Sequence, residues 1–233
     1  MALSPQSNEA FFREVDESLR RDQAVALARR WGIAAVAGVI LALAAFAGYL
    51  WWHSHSEAKA GEQSITFNKA LDDLGANRPT AATPALQELA KDGTPGYSVL
   101  SKFTLADIAL QKDDLKGAAA IFAEVAGNSS AAQPLRDLAL IRQTLAEYDS
   151  LQPQVVIDRM RPLAVKGQAY FGTAGELTAV AHLRMGRKDL AGRLFGELAR
   201  DETVPATIRQ RAVQQAGVLG VDAVDTAEEK KAG

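Results

Sequence analysis

The residues that could do acid–base or metal chemistry are few, and their spacing does not suit it. Candidates are His53, His55, His182 and the adjacent acid pairs at 72–73 and 113–114. The first two histidines stand at i and i+2, so their side chains diverge, and no third ligand lies nearby. Neighbouring carboxylates also diverge around a helix, and at turns they are explained by capping. We therefore predict no catalytic residue and no metal site.

Composition excludes several other function classes. The chain has no cysteine, so disulfides, thiolate catalysis and cysteine-ligated metals are excluded. It holds no glycine-rich loop that could bind a nucleotide phosphate, and we predict no cofactor. A net charge of −2 gives no basic surface for nucleic acid. We predict that the protein is not an enzyme; a hydrolase whose catalytic residues are dispersed in sequence remains an open alternative.

An uncharged stretch of 22 residues, 31–52, divides the chain. As a helix it would be roughly 33 Å long, enough to cross a hydrocarbon core of roughly 30 Å. Trp31 stands at one end, and Trp51 and Trp52 stand at the other, as in the aromatic belts at membrane interfaces. The stretch therefore predicts a transmembrane helix over 31–52.

The flanking charges predict the orientation of this helix. Arg29 and Arg30 directly precede it and Arg20 and Arg21 lie close by, whereas the first twenty residues after it contain two lysines. Positive charges favour the cytosolic side. We expect the N-terminus in the cytosol and the body of the protein outside the inner membrane, in the periplasm.

Residues 1–30 carry a narrow apolar stripe of Phe12, Val15 and Leu19. This segment is predicted to be a cytosolic amphipathic helix, and the sequence leaves open whether it binds lipid or a membrane partner. Ala58-Lys59-Ala60 has the form of a signal-peptide cleavage site, so cleavage after Ala60 is not fully excluded. The apolar run is too long for a signal peptide, which favours an anchor.

After residue 60, a helical pattern repeats four times. The last apolar positions of the repeated segments are 36, 38 and 35 residues apart, and a second small or apolar residue stands seven positions before each. These pairs are Ala82 and Leu89, Ala118 and Val125, Val156 and Leu163, and Ala191 and Leu198. We predict helical hairpins at about 62–91, 97–127, 132–166 and 168–200, followed by a capping helix at about 205–220.

The repeats resemble tetratricopeptide repeats. Ala118 with Phe122 and Ala191 with Phe195 match the second-helix pair of that family, and Gly186 stands at its turn glycine. Two repeats match well, whereas the first and third have longer turns. The resemblance implies an all-α fold, with one N-terminal transmembrane helix before a tetratricopeptide-like α-solenoid of about four hairpins and a capping helix. The predicted segments are 1–30 cytosolic, 31–52 transmembrane, 53–61 a juxtamembrane linker, 62–220 the repeat domain and 221–233 a disordered tail.

In the register of this family, first-helix positions that face outward form a groove for a partner polypeptide. The resemblance places six residues there: Phe103, Asp107, Gln111, Glu176, Val180 and Arg184.

A cytosolic segment, one span and such repeats together also resemble the ancillary SecYEG translocon subunit family. Residues that carry this likeness include the segment 14–22 and the runs 38–41 and 48–51 within the span. The resemblance implies a membrane-anchored scaffold that assists the folding or trafficking of exported proteins. Its implied partners are translocon subunits, a periplasmic chaperone and exported polypeptides, with no small-molecule substrate. An envelope scaffold that coordinates cell division, or the assembly of another inner-membrane complex, is the alternative.

Overall fold

The computed structural model describes residues 6–223, and the side chains of these residues except 6–30, 33 and 56. Within this part of the chain all regular structure is helical, which confirms the all-α prediction. The helices are α1 (Gln6–Gly75), α2 (Pro79–Asp92), α3 (Pro95–Gln111), α4 (Leu115–Ala126), α5 (Gln133–Ala146), α6 (Pro153–Met160), α7 (Phe171–Arg184), α8 (Lys188–Arg200) and α9 (Ala206–Val218).

The chain forms two compact units, which divide between Lys59 and Ala60. In the first unit, α1 carries the apolar stretch, and the most apolar part of this helix has no buried residue. By length and composition, the helix from residue 34 onward could cross a membrane. Trp31, Trp51 and Trp52 are exposed, as side chains in contact with lipid would be.

Two predictions for this region need comment. The predicted linker at 53–61 is helical, because α1 continues through it to Gly75. The side chains of Arg29 and Arg30, on which the predicted orientation rests, lie outside the described residues, as do residues 1–5 and most of the predicted tail, 224–233.

The second unit is a stack of helical hairpins. The part of α1 from Ala60 onward shares a core with α2 through Ala70, Ala82 and Leu86. It is followed by the pairs α3 and α4, α5 and α6, and α7 and α8, with α9 at the end. Proline at the start of α2, α3 and α6 presets the helical φ and needs no hydrogen bond there. Asp114 caps α4 by accepting a hydrogen bond from the Gly117 amide at 2.8 Å. The turn before α8 uses Gly186 at φ 71°, a left-handed conformation that favours glycine.

Each second helix buries its repeated apolar face. Leu86, Phe122, Met160 and Phe195 are between 0% and 1% exposed, and each lies in a core shared with neighbouring helices. The predicted i, i+4, i+7 pattern is therefore the pattern that the core uses.

The end of the stack is covered by α9 and by the residues that follow it. Val221 packs against α8, where Gly192 and Gly196 leave room for it, and Ala223 is 5% exposed in the same core. Val221 and Ala223, which open the predicted tail, therefore pack against this end of the stack, and disorder of the remaining tail stays a prediction.

The third hairpin is irregular. Its turn, 147–152, is six residues long, whereas 185–187 in the fourth hairpin has three. The second helix α6 has 8 residues, compared with 13 in α8. As a result α5 and α6 contact each other at few positions, although the helices of the second and fourth hairpins pack along their length.

Candidate partner-binding surface

Phe103, predicted to line the groove, lies in the core of the second hairpin. Its side chain is 9% exposed, and its ring centroid lies 5.7 Å from that of Phe122. The first helix α3 packs against α2, α4 and α5, so apolar side chains on several of its sides contact a neighbouring helix. Phe103 is therefore largely buried in the core, and its role in binding a partner stays a prediction.

Asp107 joins two repeats. It accepts hydrogen bonds from the guanidinium of Arg142, which stands 35 positions later on the first helix of the next repeat. The same guanidinium lies 4.8 Å from the centroid of the Phe122 ring, in cation–π geometry. The carboxylate is thus engaged within the stack.

Glu176 forms an equivalent joint between α7 and α9. Its two carboxylate oxygens accept hydrogen bonds from Nε and Nη2 of Arg211, both at 2.7 Å. This bidentate geometry is the strong form of an arginine–carboxylate pair. The four positions Asp107, Arg142, Glu176 and Arg211 therefore alternate in charge at about the repeat spacing.

Arg184 holds the third and fourth repeats together. Its guanidinium donates to the carbonyl oxygen of Tyr148 at 2.9 Å and lies 5.2 Å from the centroid of that tyrosine's ring. At the opposite end of the same two helices, the Tyr170 hydroxyl donates to the carbonyl oxygen of Pro134 at 3.0 Å. The arginine therefore fixes the turn of the irregular hairpin.

The remaining two predicted groove residues differ from each other. Gln111 is exposed at the end of α3, whereas Val180 is half-buried against the core around α8 and α9. Of the six predicted residues, one is buried, three make joints between repeats, one is half-buried and one faces solvent. Whether any of them binds a partner stays a prediction.

An open cavity lies elsewhere, beside the irregular hairpin. It has a volume of about 470 Å³ and lies between one face of α4 and the end of α5 with the turn that follows. Leu115 and Leu145 are 46% and 49% exposed at this site. The lining residues are Leu115, Lys116, Ala119, Ala120, Ala123, Gln143, Leu145, Ala146, Glu147, Asp149 and Ser150.

The cavity lies where the chain leaves α5 and enters the long turn 147–152. Leu115 and Leu145 were not among the predicted site residues. The longer turn of the third repeat is visible in the sequence, but which residues it leaves uncovered depends on how the neighbouring helices pack.

A second cavity, of about 400 Å³, lies near the start of α5 and is lined by more polar side chains. Gln133 accepts a hydrogen bond from Arg136 and donates one to Asp137. These three side chains are therefore linked to one another.

His182 is the histidine that lies within the repeat unit, on α7. No group of three or more potential metal ligands occurs among the described residues. His182 is half-buried, and burial lowers its pKa, with a further lowering from the positive charge of Arg187. It is therefore neutral at pH 7, as a packed histidine on an apolar helix would be.

Comparison with known proteins agrees with this architecture. The family described as "Tetratricopeptide repeat-like domain" matches residues 28–191. The "Ancillary SecYEG translocon subunit" of Escherichia coli strain K12 is 24% identical over 175 residues, which cover 75% of this chain and 83% of that protein. No solved structure matches the chain significantly. The helical hairpins and the extent of the family match show that the chain belongs to the tetratricopeptide repeat-like domain family.

Proposed function

We propose that the protein is a membrane-anchored scaffold that binds other proteins, and that it acts as an ancillary subunit of the SecYEG translocon. The observation that carries the proposal is the order of its parts. One helix that could cross a membrane precedes a tetratricopeptide-like stack. The similarity to the Escherichia coli translocon subunit over most of both chains supports the specific assignment.

Binding, without turnover, is the mechanism that the site supports. On the first helices, Asp107, Arg142, Glu176 and Arg184 make contacts between repeats that help to keep the stack in one arrangement. The exposed cavity beside α4 is mainly apolar in its lining, which suits contact with a partner polypeptide. The proposed partners are translocon subunits, a periplasmic chaperone and exported polypeptides.

The proposed location is the inner membrane, with the N-terminus in the cytosol and the repeats in the periplasm. This topology rests on Arg29 and Arg30 beside the span. Because the chain has no cysteine, one introduced cysteine would be its only thiol. Lys112→Cys should react with a membrane-impermeant maleimide in intact spheroplasts, whereas Asn8→Cys should react only after lysis; the reverse pattern would overturn the topology.

Co-purification tests the functional assignment. The full chain, extracted with a mild detergent, should retain translocon subunits as its main partners. If subunits of the cell-division machinery or of another inner-membrane complex dominate instead, the alternative of an envelope scaffold replaces this proposal. A chain in which residues 31–52 are exchanged for an unrelated span of equal length serves as the control for the contribution of the anchor.

A further inference from the structure

The third hairpin is divided between two parts of the stack. Among successive helices from α2 to α9, the pair α5 and α6 has the least contact, whereas α4 packs along α5 and α6 packs along α7. We call residues 60–146, which end with α5, the N-terminal block, and residues 153–223, which begin with α6, the C-terminal block. The turn 147–152 connects the two blocks.

The core between the blocks comes mostly from one of them. Within the described residues, Ile141 is the one buried residue that the N-terminal block adds to the core of α6 and α7. Leu140 packs at the edge of this core, and Tyr148 and Leu151 reach it from the turn. Ala139, two positions before Ile141, lies instead in the core shared with α3 and α4. Few apolar contacts therefore oppose a change in the angle between the blocks.

Open space lies between the blocks on one side. The cavity of about 400 Å³ near the start of α5 is lined from both: the N-terminal block provides Ala126, Gln133, Arg136, Asp137 and Leu140, and the C-terminal block provides Pro162, Leu163 and Gln168. A close-packed interface resists movement because its atoms would collide, but an open cavity has no packed atoms to do so. The blocks can therefore change their angle on this side without a steric clash.

Arg184 reaches from the C-terminal block to the turn between the blocks. Its guanidinium donates to the carbonyl oxygens of Tyr148 at 2.9 Å and of Leu151 at 3.4 Å. Both acceptors are backbone atoms, so this contact holds the path of the turn itself. The arginine is exposed, and hydrogen bonds of this kind add modestly to net stability. The contact can therefore open without the unfolding of a helix.

Two further polar contacts join the blocks. At the start of α5, the Tyr170 hydroxyl donates to the carbonyl oxygen of Pro134 at 3.0 Å. At the end of α5, Arg159 of α6 forms an ion pair with Glu147, the residue that follows the helix. Ion pairs that are partly exposed contribute little to stability. Weak polar contacts at both ends of α5 therefore hold the blocks at one angle.

From these observations we infer that the repeat domain bends at the third hairpin. The N-terminal block and the C-terminal block move as rigid bodies about the turn 147–152, and Arg184 and Tyr170 are latches that hold the arrangement seen in the structure. Hinges place the backbone change in a few loop residues and leave the helices intact. Because bending changes the angle between the surfaces of the blocks, a partner that contacts both blocks selects one arrangement. The inference goes beyond the proposed scaffold function and does not depend on which partner binds.

Distances between spin labels, measured by double electron–electron resonance, test the inference in the full chain in neutral phosphatidylcholine nanodiscs. The chain has no cysteine, so two introduced cysteines carry the only labels. Ala120, Asp158 and Arg193 are exposed, and each stands two residues after the first position of the repeated pattern in α4, α6 and α8. Ala120→Cys with Asp158→Cys joins the two blocks. Asp158→Cys with Arg193→Cys, one repeat apart within the C-terminal block, is the matched control.

Arg184→Ala combined with Tyr170→Phe removes both latches. We expect the width of the distance distribution between positions 120 and 158 to at least double in this variant, while the width between 158 and 193 stays the same. Arg187→Ala removes an exposed arginine whose side chain makes no hydrogen bond within the described residues, and it should leave both widths unchanged. Equal broadening of the two label pairs, or no broadening between 120 and 158, would overturn the inference.

Hydrogen exchange distinguishes bending from local unfolding. The amide of Glu147 donates to the carbonyl oxygen of Gln143 at 3.0 Å, and the amide of Arg161 donates to that of Ile157 at 2.9 Å, at the ends of α5 and α6. Both amides should keep their protection in the variant without latches, because rigid blocks move without breaking helical hydrogen bonds. Accelerated exchange at Arg161 in that variant would show that α6 unfolds, and the inference of a hinge would be wrong.

Discussion

Arg142 bonds to Asp107 across one full repeat while its guanidinium covers the ring of Phe122. One side chain thus links the first helix of the third repeat to both helices of the second. The pair is partly exposed, with 31% of the arginine side chain and 43% of the aspartate side chain accessible. The joint combines a moderate ion pair with a contact to the core.

The first prediction concerns this joint. In a double-mutant cycle of Asp107→Ala and Arg142→Ala, we expect a coupling energy of about 0.5–1 kcal/mol, as for other partly exposed ion pairs. The arginine substitution alone should cost about 0.5–1 kcal/mol more than the aspartate substitution, because it also removes the contact to the ring. Urea unfolding of the full chain in detergent, followed by circular dichroism, measures both. A double-mutant cycle on Lys102 and Glu124, which form an ion pair without a ring contact, is the control. If the effects of the Asp107 and Arg142 substitutions simply add, the two side chains are not energetically coupled, and the prediction is wrong.

A second prediction separates core from groove at Phe103. Phe103→Ala should lower the free energy of unfolding by about 3 kcal/mol, because it leaves a cavity beside Phe122. Gln111→Ala, at an exposed position of the same helix, should change it by less than about 0.5 kcal/mol. Urea unfolding, followed by circular dichroism as above, measures both changes in the free energy of unfolding. If the Phe103→Ala protein is as stable as the Gln111→Ala protein, the conclusion that Phe103 is part of the core is wrong.

The third prediction compares two glycines. A Cβ at Gly192 would lie 2.9 Å from Cγ2 of Val221 and 3.3 Å from Cβ of Leu219, whereas one at Gly217 would meet nothing within 4 Å. Both changes to alanine favour the helix by about 0.5–1 kcal/mol. Gly217→Ala should therefore stabilise the protein, whereas Gly192→Ala should displace residues 219–223 and cost about 1 kcal/mol net.

Hydrogen exchange measures the displacement directly. The amide of Val221 donates to the carbonyl oxygen of Ala216 at 2.9 Å, so it should be protected in the parent protein and in Gly217→Ala. In Gly192→Ala its exchange should accelerate. Equal protection in the two variants would show that α8 does not hold the end of the chain.

The fourth prediction concerns pH. The pKa of His182 is lowered in the folded protein from the model-peptide value of 6.5, mainly by burial. Below pH 6.5 the unfolded chain takes up a proton that the folded protein takes up only at lower pH, so stability falls as the pH falls toward the folded pKa. His182→Leu should remove this loss between pH 7.5 and 5.5. Parallel stability curves for the parent and the variant would rule out His182 as the cause.

Most of the fold follows from short-range sequence patterns. One face of each second helix packs against the stack, so the helical period predicts which of its residues are buried. Ala118 with Phe122 and Ala191 with Phe195 are buried in this way. Asp114 caps α4 for a purely local reason, the hydrogen bond to Gly117. Such features depend on residues a few positions apart and are visible in the sequence.

The surface was harder to predict, because it depends on contacts a whole repeat apart. A first helix has neighbours on several sides, so the position of Phe103 in the family register does not decide whether it faces solvent. Gly175 shows the same dependence. It stands on α7, and a Cβ there would lie 2.9 Å from Cδ2 of Leu198. The leucine from the next helix fills that space, which single-residue matching cannot reveal.

The alternation of acidic and basic residues along these contacts also affects what happens when a repeat is duplicated. Asp107 and Glu176 accept hydrogen bonds from Arg142 and Arg211 respectively, so a repeat with an acid is followed by one with an arginine. Duplication of a single repeat would set two acids or two arginines side by side, and the new interface would lack such a joint. A copy of two successive repeats, one with the acid and one with the arginine, would carry a complete joint with it.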